Sequence, residues 1–225
     1  MNSLKGIKAC AFDAYGTLFD IHAPTTRVAS ELGDQAQAIS DLWRAKQLQY
    51  TWLRSLMKVH ADFWQVTGDA LDYAFGAHGI ENPDLRESLM QLYLGLDAYD
   101  DAAETLRRLK DAGLTTALLS NGSPAMLDAA VSAAGLGQFL DHVISVEAVG
   151  IYKPDAGVYH LAVDRMGHGP EDICFTSANG WDVCGGAHYG LQVVHLNRFA
   201  QPAEHLPGTP KAVIESLAAL PDLLF

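Results

Sequence analysis

The feature that most limits the possible folds is a regular alternation of short apolar segments with longer helix-compatible stretches. Five apolar segments are bounded by turn residues and several are rich in β-branched residues, as is typical of strands; they cover residues 7–12, 115–119, 143–146, 173–176 and 191–196. Helix-compatible stretches alternate with them from the second strand onward, near residues 99–112, 123–135, 155–167 and 181–189. This order predicts an α/β fold, with a doubly wound parallel sheet and helices on both faces.

The interval after the first strand breaks the alternation and contains no convincing strand. We therefore expect an inserted helical cap domain at residues 20–98, and a catalytic core at 1–19 and 99–225. The stretch 35–59 has spacings suited to one apolar helix face, formed by Leu42, Trp43, Leu48, Trp52, Leu53 and Leu56. That face could pack against other helices, cover a pocket at the carboxyl ends of the strands, or do both. A last helix is expected near 211–220.

The charge balance limits the possible partners. The chain has 15 lysine and arginine residues against 27 aspartate and glutamate residues, a net charge of −12, and no cluster of basic residues with interleaved aromatic residues. This composition argues against nucleic acid as a partner. If the substrate is an anion, the overall field opposes it, and a few local cations must attract it.

The cysteines and the N-terminal segment indicate the compartment. Cys10, Cys174 and Cys184 have neither CxxC nor zinc-ligand spacing, so we expect them to be reduced and mostly buried. The N-terminal segment has only a short apolar run, unlike a signal peptide. No stretch reaches the roughly 18 apolar residues that suggest a membrane span. We expect a cytoplasmic protein without a membrane partner.

Polar residues that a turn alone does not require follow four of the predicted strands. They are Asp13 with Thr17, Ser120 with Asn121, Lys153, and the group Ser177, Asn179, Trp181 and Asp182. Each of these is ordinary turn composition when taken alone. Because the carboxyl ends of parallel strands meet in one crevice, their joint occurrence predicts a functional site there.

These residues resemble the four motifs of the haloacid dehalogenase superfamily: Asp13-Ala-Tyr15-Gly-Thr17-Leu18, Ser120-Asn121, Lys153-Pro154 and Asp182. The fold that this resemblance implies, a Rossmann-like core with a helical cap after the first strand, agrees with the pattern above. Most members resemble phosphatases, which have a second aspartate two residues after the nucleophile and further carboxylates near the last motif. Here Tyr15 replaces that aspartate, one carboxylate remains, and Lys153 brings positive charge to the place of Mg²⁺. We expect no metal and no other cofactor.

The same departures make the chain similar to the L-2-haloacid dehalogenase branch, and the run LWRAKQLQYTWLR at 42–54 strengthens the likeness. This resemblance implies hydrolysis of short L-2-haloalkanoic acids to D-2-hydroxy acids and halide. The reaction would proceed through an ester on Asp13, with inversion at C2. The resemblance also implies a homodimer, because dimers built on cap helices are usual in the branch.

The resemblance also implies a role for each site residue. Asp13 is the nucleophile, kept ionised by Lys153 and the Thr17 hydroxyl. The substrate carboxylate would be bound by Ser120 and the backbone amides of Ala14 and Tyr15. The apolar wall of the pocket would be formed by Tyr15, Leu48 and Phe63. The departing halide would be bound by Arg44, Asn121 and Trp181. Ordinary packing within the cap explains Leu48 and Phe63 equally well.

The group that activates the hydrolytic water stays open. Asn179 and Asp182 are the candidates, but Asp182 could instead hold Lys153 and Ser177 in place. His188 is near in sequence, although its setting fits an exposed helix end. Two other functions are also compatible with the motifs: a Mg²⁺-dependent small-molecule phosphatase and a non-catalytic anion-binding protein. The sequence does not decide the preferred chain length, the halogen or the physiological substrate.

Overall fold

The computed structural model describes residues 4–225, so residues 1–3 of the predicted core lie outside it. Its centre is a sheet of six parallel strands in the order β3-β2-β1-β4-β5-β6. The strands are β1 (Ala9–Phe12), β2 (Thr115–Ser120), β3 (His142–Ser145), β4 (Ile173–Ser177), β5 (Gln192–Leu196) and β6 (Ala212–Ile214). The order reverses between β1 and β4, which is the doubly wound topology. The predicted fold class is confirmed, and each of the five predicted strands overlaps an observed one.

Strand β1 lies at the centre of the sheet, where it pairs with β2 on one side and β4 on the other. All four of its residues are apolar and buried, as expected of a parallel strand that is covered on both faces. The chain leaves the strand at Asp13, whose backbone N–H still donates to the Thr176 carbonyl at 3.0 Å. The nucleophile candidate is therefore fixed at the carboxyl edge of the sheet, at the point where the strand order reverses.

The helices form two groups. Five lie between β1 and the next core helix: α1 (Ala23–Arg27), α2 (Ala29–Leu32), α3 (Ala36–Met57), α4 (Phe63–His78) and α5 (Pro83–Leu94). The other five belong to the α/β core: α6 (Ala102–Asp111), α7 (Pro124–Ala133), α8 (Ala156–Met166), α9 (Gly180–Tyr189) and α10 (Pro221–Leu224). All four helices predicted in the core overlap α6 to α9. No helix within residues 4–225 combines the length and apolar character that crossing a membrane requires.

Helix α3 differs from the prediction in the face that it buries. Its buried residues follow a four-residue spacing through Ile39, Trp43, Gln47 and Thr51 and pack towards α4. Two leucines that were expected on the apolar face are exposed instead, Leu53 to 44% and Leu56 to 79%. The pattern was misread because two of the buried positions are polar. Buried polar groups need hydrogen-bond partners inside the protein, so Gln47 and Thr51 must be matched by other side chains or backbone groups.

The helix predicted near 211–220 is wrong. Residues Ala212–Ile214 form β6, which pairs with β5 in the register Val194↔Ala212 and Leu196↔Ile214. A 3₁₀ turn at Leu217–Ala219 follows. Residues 212–214 form a strand because they pair with the backbone of β5, and the local sequence around them does not show this pairing. The three cysteines are buried and carry no disulfide, as expected.

Candidate active site

Three charged side chains meet at the carboxyl edge of the sheet. Asp13 follows β1, Lys153 precedes α8, and Asp182 lies in the first turn of α9. The Lys153 Nζ atom is 3.0 Å from Asp13 Oδ1 and 2.8 Å from Asp182 Oδ2. Exposure is 5% for Asp13, 1% for Lys153 and 0% for Asp182. One buried ammonium group is therefore shared by two carboxylates.

The pKa values of this group follow from its burial. Burial alone lowers the pKa of the Lys153 ammonium, but the charges of Asp13 and Asp182 outweigh it, and the pKa ends above its ordinary value. Burial raises the pKa of the Asp182 carboxyl to about 6, although the charge of Lys153 opposes the rise. Lys153 is therefore charged at neutral pH. Asp182 titrates at a pH slightly below neutral.

The second oxygen of Asp13 is held by two further donors. Asp13 Oδ2 accepts hydrogen bonds from Thr17 Oγ1 at 3.1 Å and from Asn179 Nδ2 at 2.8 Å. The Thr17 oxygen accepts from the Ala178 backbone N–H at 2.8 Å, which leaves its own proton for Asp13. Donors from three separate segments thus fix the carboxylate in one orientation.

Asn179 connects the β1 loop to the helical insertion. Its Nδ2 atom also donates to the Tyr15 carbonyl at 3.0 Å, and its Oδ1 atom accepts from Arg44 Nη2 at 3.3 Å. Ser177 supports this residue, because its Oγ accepts from the Asn179 backbone N–H at 3.1 Å. A side chain of α3 is thereby joined to a residue that contacts Asp13.

A pocket of about 570 Å³ lies between α3 and the core beside these residues. Arg44, Leu48, Asn179 and Trp181 are among its lining residues. The Trp181 ring meets Trp52 edge-on, with ring centroids 5.5 Å apart. Four of the residues that the sequence assigned to the site therefore share one cavity wall.

The other predicted site residues do not line this pocket. Ser120 is buried, and its Oγ accepts from the Gly122 backbone N–H at 3.1 Å. Asn121 Oδ1 accepts from the Lys153 backbone N–H at 3.0 Å, so the Asn121 Nδ2 donor faces away from that N–H. Phe63 is buried behind Tyr15, and His188 is exposed in the last turn of α9, away from the charged group.

Tyr15 belongs to an aromatic cluster with two residues of the insertion. Its ring centroid is 5.3 Å from that of Phe63 and 5.6 Å from that of Tyr93. Its hydroxyl is buried and has no hydrogen-bond partner among the described residues. A Cβ atom on Gly122 would lie 2.8 Å from this hydroxyl, so the glycine provides the space for it. Burial raises the pKa of Tyr15, so the hydroxyl keeps its proton.

Tyr159 is a site residue that the sequence did not reveal. Its hydroxyl donates to Asp182 Oδ1 at 2.8 Å, so both oxygens of Asp182 are bonded. A tyrosine within a helix is ordinary core composition and indicates nothing by itself. The pair Gly185-Gly186 in α9 makes room for it, because a Cβ atom on Gly185 would lie 2.4 Å from the Tyr159 hydroxyl oxygen, but a glycine pair does not indicate which side chain fills the space.

The donors around Asp13 do not form a metal site. They are an ammonium, a hydroxyl and an amide N–H, whereas a metal ion needs electron-pair donors. Within residues 4–225, no group of three or more histidine, cysteine, aspartate or glutamate side chains is placed to hold a metal ion.

A family model described as haloacid dehalogenase-like hydrolase matches residues 7–190. The chain belongs to the haloacid dehalogenase-like hydrolases. Within this family it is 45% identical over 219 residues to (S)-2-haloacid dehalogenase 4A of Burkholderia cepacia, covering 97% of this chain and 95% of the relative. It is also 45% identical to (S)-2-haloacid dehalogenase 1 of Pseudomonas sp. strain CBS-3, with 97% and 96% covered.

Solved structures of the family agree with the fold. The L-2-haloacid dehalogenase of Xanthobacter autotrophicus with chloropropionic acid covalently bound has a TM-score of 0.90 and 36% identity, covering 96% of this chain and 98% of that one. A dehalogenase structure with an intermediate complex has a TM-score of 0.96 and 44% identity, with 98% of each chain covered.

The shared ammonium gives a prediction about the stability of this haloacid dehalogenase-like hydrolase. Replacing Lys153 by methionine should lower the free energy of unfolding by about 3 kcal/mol at pH 7, because two buried carboxylates lose their cation. The loss should shrink towards pH 5. Without the charge of Lys153 a buried carboxylate takes up its proton at a higher pH than in the unaltered protein, where the pKa of Asp182 is about 6, so the variant gains more stability as the pH falls from 7. Urea unfolding followed by circular dichroism at both pH values measures this.

The control is Lys211→Met, which removes an exposed lysine and should leave the unfolding free energy unchanged. If Lys153→Met is as stable as the unaltered protein at both pH values, the ion-pair interpretation is wrong.

Proposed function

We propose that this protein is an (S)-2-haloacid dehalogenase, which hydrolyses short L-2-haloalkanoic acids to D-2-hydroxy acids and halide. The observation that carries the proposal is the carboxylate of Asp13, held by Lys153, Thr17 and Asn179 beside a pocket that contains Arg44. This arrangement offers a fixed nucleophile and a cation for a departing anion, and its donors leave no place for a metal. Curated relatives of this name are 36–45% identical over most of the chain.

In the first step an oxygen of the Asp13 carboxylate attacks C2 of the substrate from the side opposite the halogen. The carbon–halogen bond breaks, the halide leaves with the electron pair, and an ester forms on Asp13. The configuration at C2 is inverted once. Covalently bound chloropropionic acid in the X. autotrophicus relative supports an ester of this kind.

Arg44, Asn121 and Trp181 are the groups that we assign to the halide. The guanidinium of Arg44 contacts two neutral oxygens, Gln47 Oε1 at 2.7 Å and Asn179 Oδ1 at 3.3 Å, so no carboxylate neutralises it in those contacts. The indole N–H of Trp181 is buried without a hydrogen-bond partner among residues 4–225. Such donors stabilise a developing negative charge most strongly where water is excluded.

Ser120 and the backbone amides of Ala14 and Tyr15 are assigned to the substrate carboxylate, because loop amides at a strand end suit an anion. We assign Leu48 and Tyr15 to the apolar wall around the alkyl chain, with Phe63 packed behind Tyr15. The unpartnered Tyr15 hydroxyl adds a donor close to Gly122. We further propose that residues 20–98 act as a cap domain, since Arg44 reaches Asn179 and His60 contacts Glu147 at 2.9 Å.

In the second step water attacks the carbonyl carbon of the Asp13 ester, which releases the hydroxy acid and restores the carboxylate. Both oxygens of Asp182 are already bonded, to Lys153 and Tyr159, which favours a positioning role for Asp182. We therefore assign Asp182 and Ser177 to hold Lys153 and Asn179 in place. Asn179 contacts Asp13 directly and lines the pocket, so it is our candidate for orienting the water.

The activity test uses separate L- and D-2-chloropropionate, with chloride release measured with and without EDTA. We expect chloride and D-lactate from the L isomer only, at the same rate in both conditions. Asp13→Asn should abolish turnover, whereas Asp34→Asn, which makes the same change at an exposed position, should not alter it. Metal-dependent phosphate release from a phosphate ester, with no chloride from either isomer, would overturn the proposal.

The covalent step predicts where oxygen from water is found after one turnover. With enzyme in excess over substrate in ¹⁸O-water, the label should appear on the Asp13 carboxylate, because the product takes its new oxygen from Asp13. Mass spectrometry of the peptide that contains Asp13 and of the hydroxy acid measures both. Label in the first-turnover product, with none on Asp13, would mean that water attacks C2 directly.

We also propose that the protein is a homodimer that uses the exposed end of α3. Five of the eleven large apolar side chains that are most exposed lie in this part of the insertion: Leu53, Leu56, Met57, Val59 and Tyr73. Tyr50, Leu53, Met57 and Val59 line one shallow groove. A concentrated apolar surface of this kind is typical of an interface between protein chains.

The dimer proposal predicts a change of mass in solution. Light scattering should give about twice the 24.3 kDa of one chain for the unaltered protein, and a monomer for the double variant Leu53→Glu with Met57→Glu. The matched control is Val149→Glu with Val213→Glu, which adds the same two charges at exposed apolar positions outside the groove and should stay dimeric. A monomeric unaltered protein at micromolar concentration would contradict the proposal.

A further inference from the structure

We infer that Gln47 is a positioning residue for Arg44, which fixes the direction of the guanidinium and leaves its positive charge free for the halide. This inference rests on the proposed dehalogenase function and extends it to a residue that does not line the pocket. Gln47 is 1% exposed and lies one helical turn after Arg44 on α3. Residues at this spacing lie on the same side of a helix.

The contacts of Gln47 join three helices of the insertion. Its Oε1 atom accepts from Arg44 Nη1 at 2.7 Å. Its Nε2 atom donates to Thr67 Oγ1 of α4 at 2.7 Å and is 3.2 Å from the Tyr93 hydroxyl of α5. The amide therefore fastens the arginine of one helix to two neighbouring helices.

The chemistry of the partners allows one orientation of this amide. A guanidinium has only donors, so the Gln47 oxygen must face Arg44. The Thr67 hydroxyl donates its proton to the Phe63 carbonyl at 2.6 Å, so its oxygen is left to accept from the Gln47 nitrogen. Turning the amide over would place donor against donor at Arg44. The side chain is thus locked by hydrogen bonds rather than by packing alone.

The partners of Gln47 are themselves held in place. The Trp43 indole N–H donates to the Thr67 carbonyl at 2.8 Å. The Tyr93 ring lies 5.3 Å from Trp43 and 5.6 Å from Tyr15, measured between ring centroids. The position of Arg44 therefore depends, through Gln47, on the aromatic cluster beside the Asp13 loop.

The neutrality of Gln47 matters as much as its position. A half-buried arginine would ordinarily be paired with a carboxylate, but no salt bridge within residues 4–225 includes Arg44. Both of its hydrogen-bond partners are amide oxygens, which orient the guanidinium without cancelling its charge. A carboxylate at position 47 would compete with the halide for the same cation.

The test is the nearly isosteric substitution Gln47→Glu. We expect the chloride concentration that gives half inhibition by product to rise about tenfold or more, because the added carboxylate pairs with Arg44. The kcat for L-2-chloropropionate should fall more than that for L-2-bromopropionate, because chloride is the poorer leaving group. Both losses should shrink as the pH falls, since the introduced carboxyl is neutral once it is protonated.

The matched control is Gln49→Glu, which makes the same charge change on the same helix at an exposed position and should leave chloride inhibition unchanged. Gln47→Met provides a second variant in which the acceptor is lost without added charge. It should weaken chloride inhibition, but less than Gln47→Glu does. Urea unfolding of each variant shows whether it is folded, and a purely structural role would change stability without changing the ratio of the two kcat values.

Two outcomes separate the failure of this inference from the failure of the proposed function. If the unaltered protein releases no halide from either substrate, the dehalogenase proposal is wrong. If it does release halide and Gln47→Glu keeps its chloride inhibition and its ratio of kcat values, Gln47 has no positioning role.

Discussion

The structure depends on one ammonium group that is buried between two carboxylates. Asp13 and Asp182 would repel each other across the end of the sheet if Lys153 were absent. The surroundings of the lysine are built to keep it there: Asn121 after β2 accepts from its backbone N–H, and Tyr159 of α8 saturates the far oxygen of Asp182. Residues that follow β1 and β2 and residues of α8 and α9 thus meet around Lys153. Asp13 is therefore held in place by the positive charge of Lys153.

The helical insertion completes the electrostatics of the core. Asp13, Asp182 and Lys153 together carry one net negative charge, which opposes an anionic substrate. Arg44 on α3 adds one positive charge, so the four groups sum to zero within a protein whose net charge is −12. Arg44 thus offsets the net negative charge of the buried group, while Glu204 adds a further carboxylate to the pocket lining. Neither the core nor the insertion provides this balance alone, because the cation for the anion and the nucleophile come from different parts of the chain.

The sequence predicted those site residues that follow the strands of the sheet. Asp13, Ser120, Lys153 and Asp182 could be grouped in advance because the ends of parallel strands converge whatever the loops do. Contacts that depend on how closely two helices approach could not be predicted: Tyr159 reaches Asp182 because Gly185 leaves room for it. Gln47 escaped notice because a polar residue in a helix is usually solvated, whereas here it lies in the buried stripe. The strand β6 was taken for a helix because its pairing partner, β5, lies outside the local sequence window.

Tyr15 belongs to the core by its place in the chain and to the insertion by its packing. Its ring is buried between Phe63 and Tyr93, so a swing of the insertion away from the sheet would pull an aromatic ring out of an apolar cluster. Exposing such a ring costs about 2 kcal/mol, and its two neighbours would add to that. A cost of about 2 kcal/mol favours the closed arrangement over an open one by a factor of about 30. The same aromatic cluster therefore shapes the closed crevice and contributes to the free energy needed to open it.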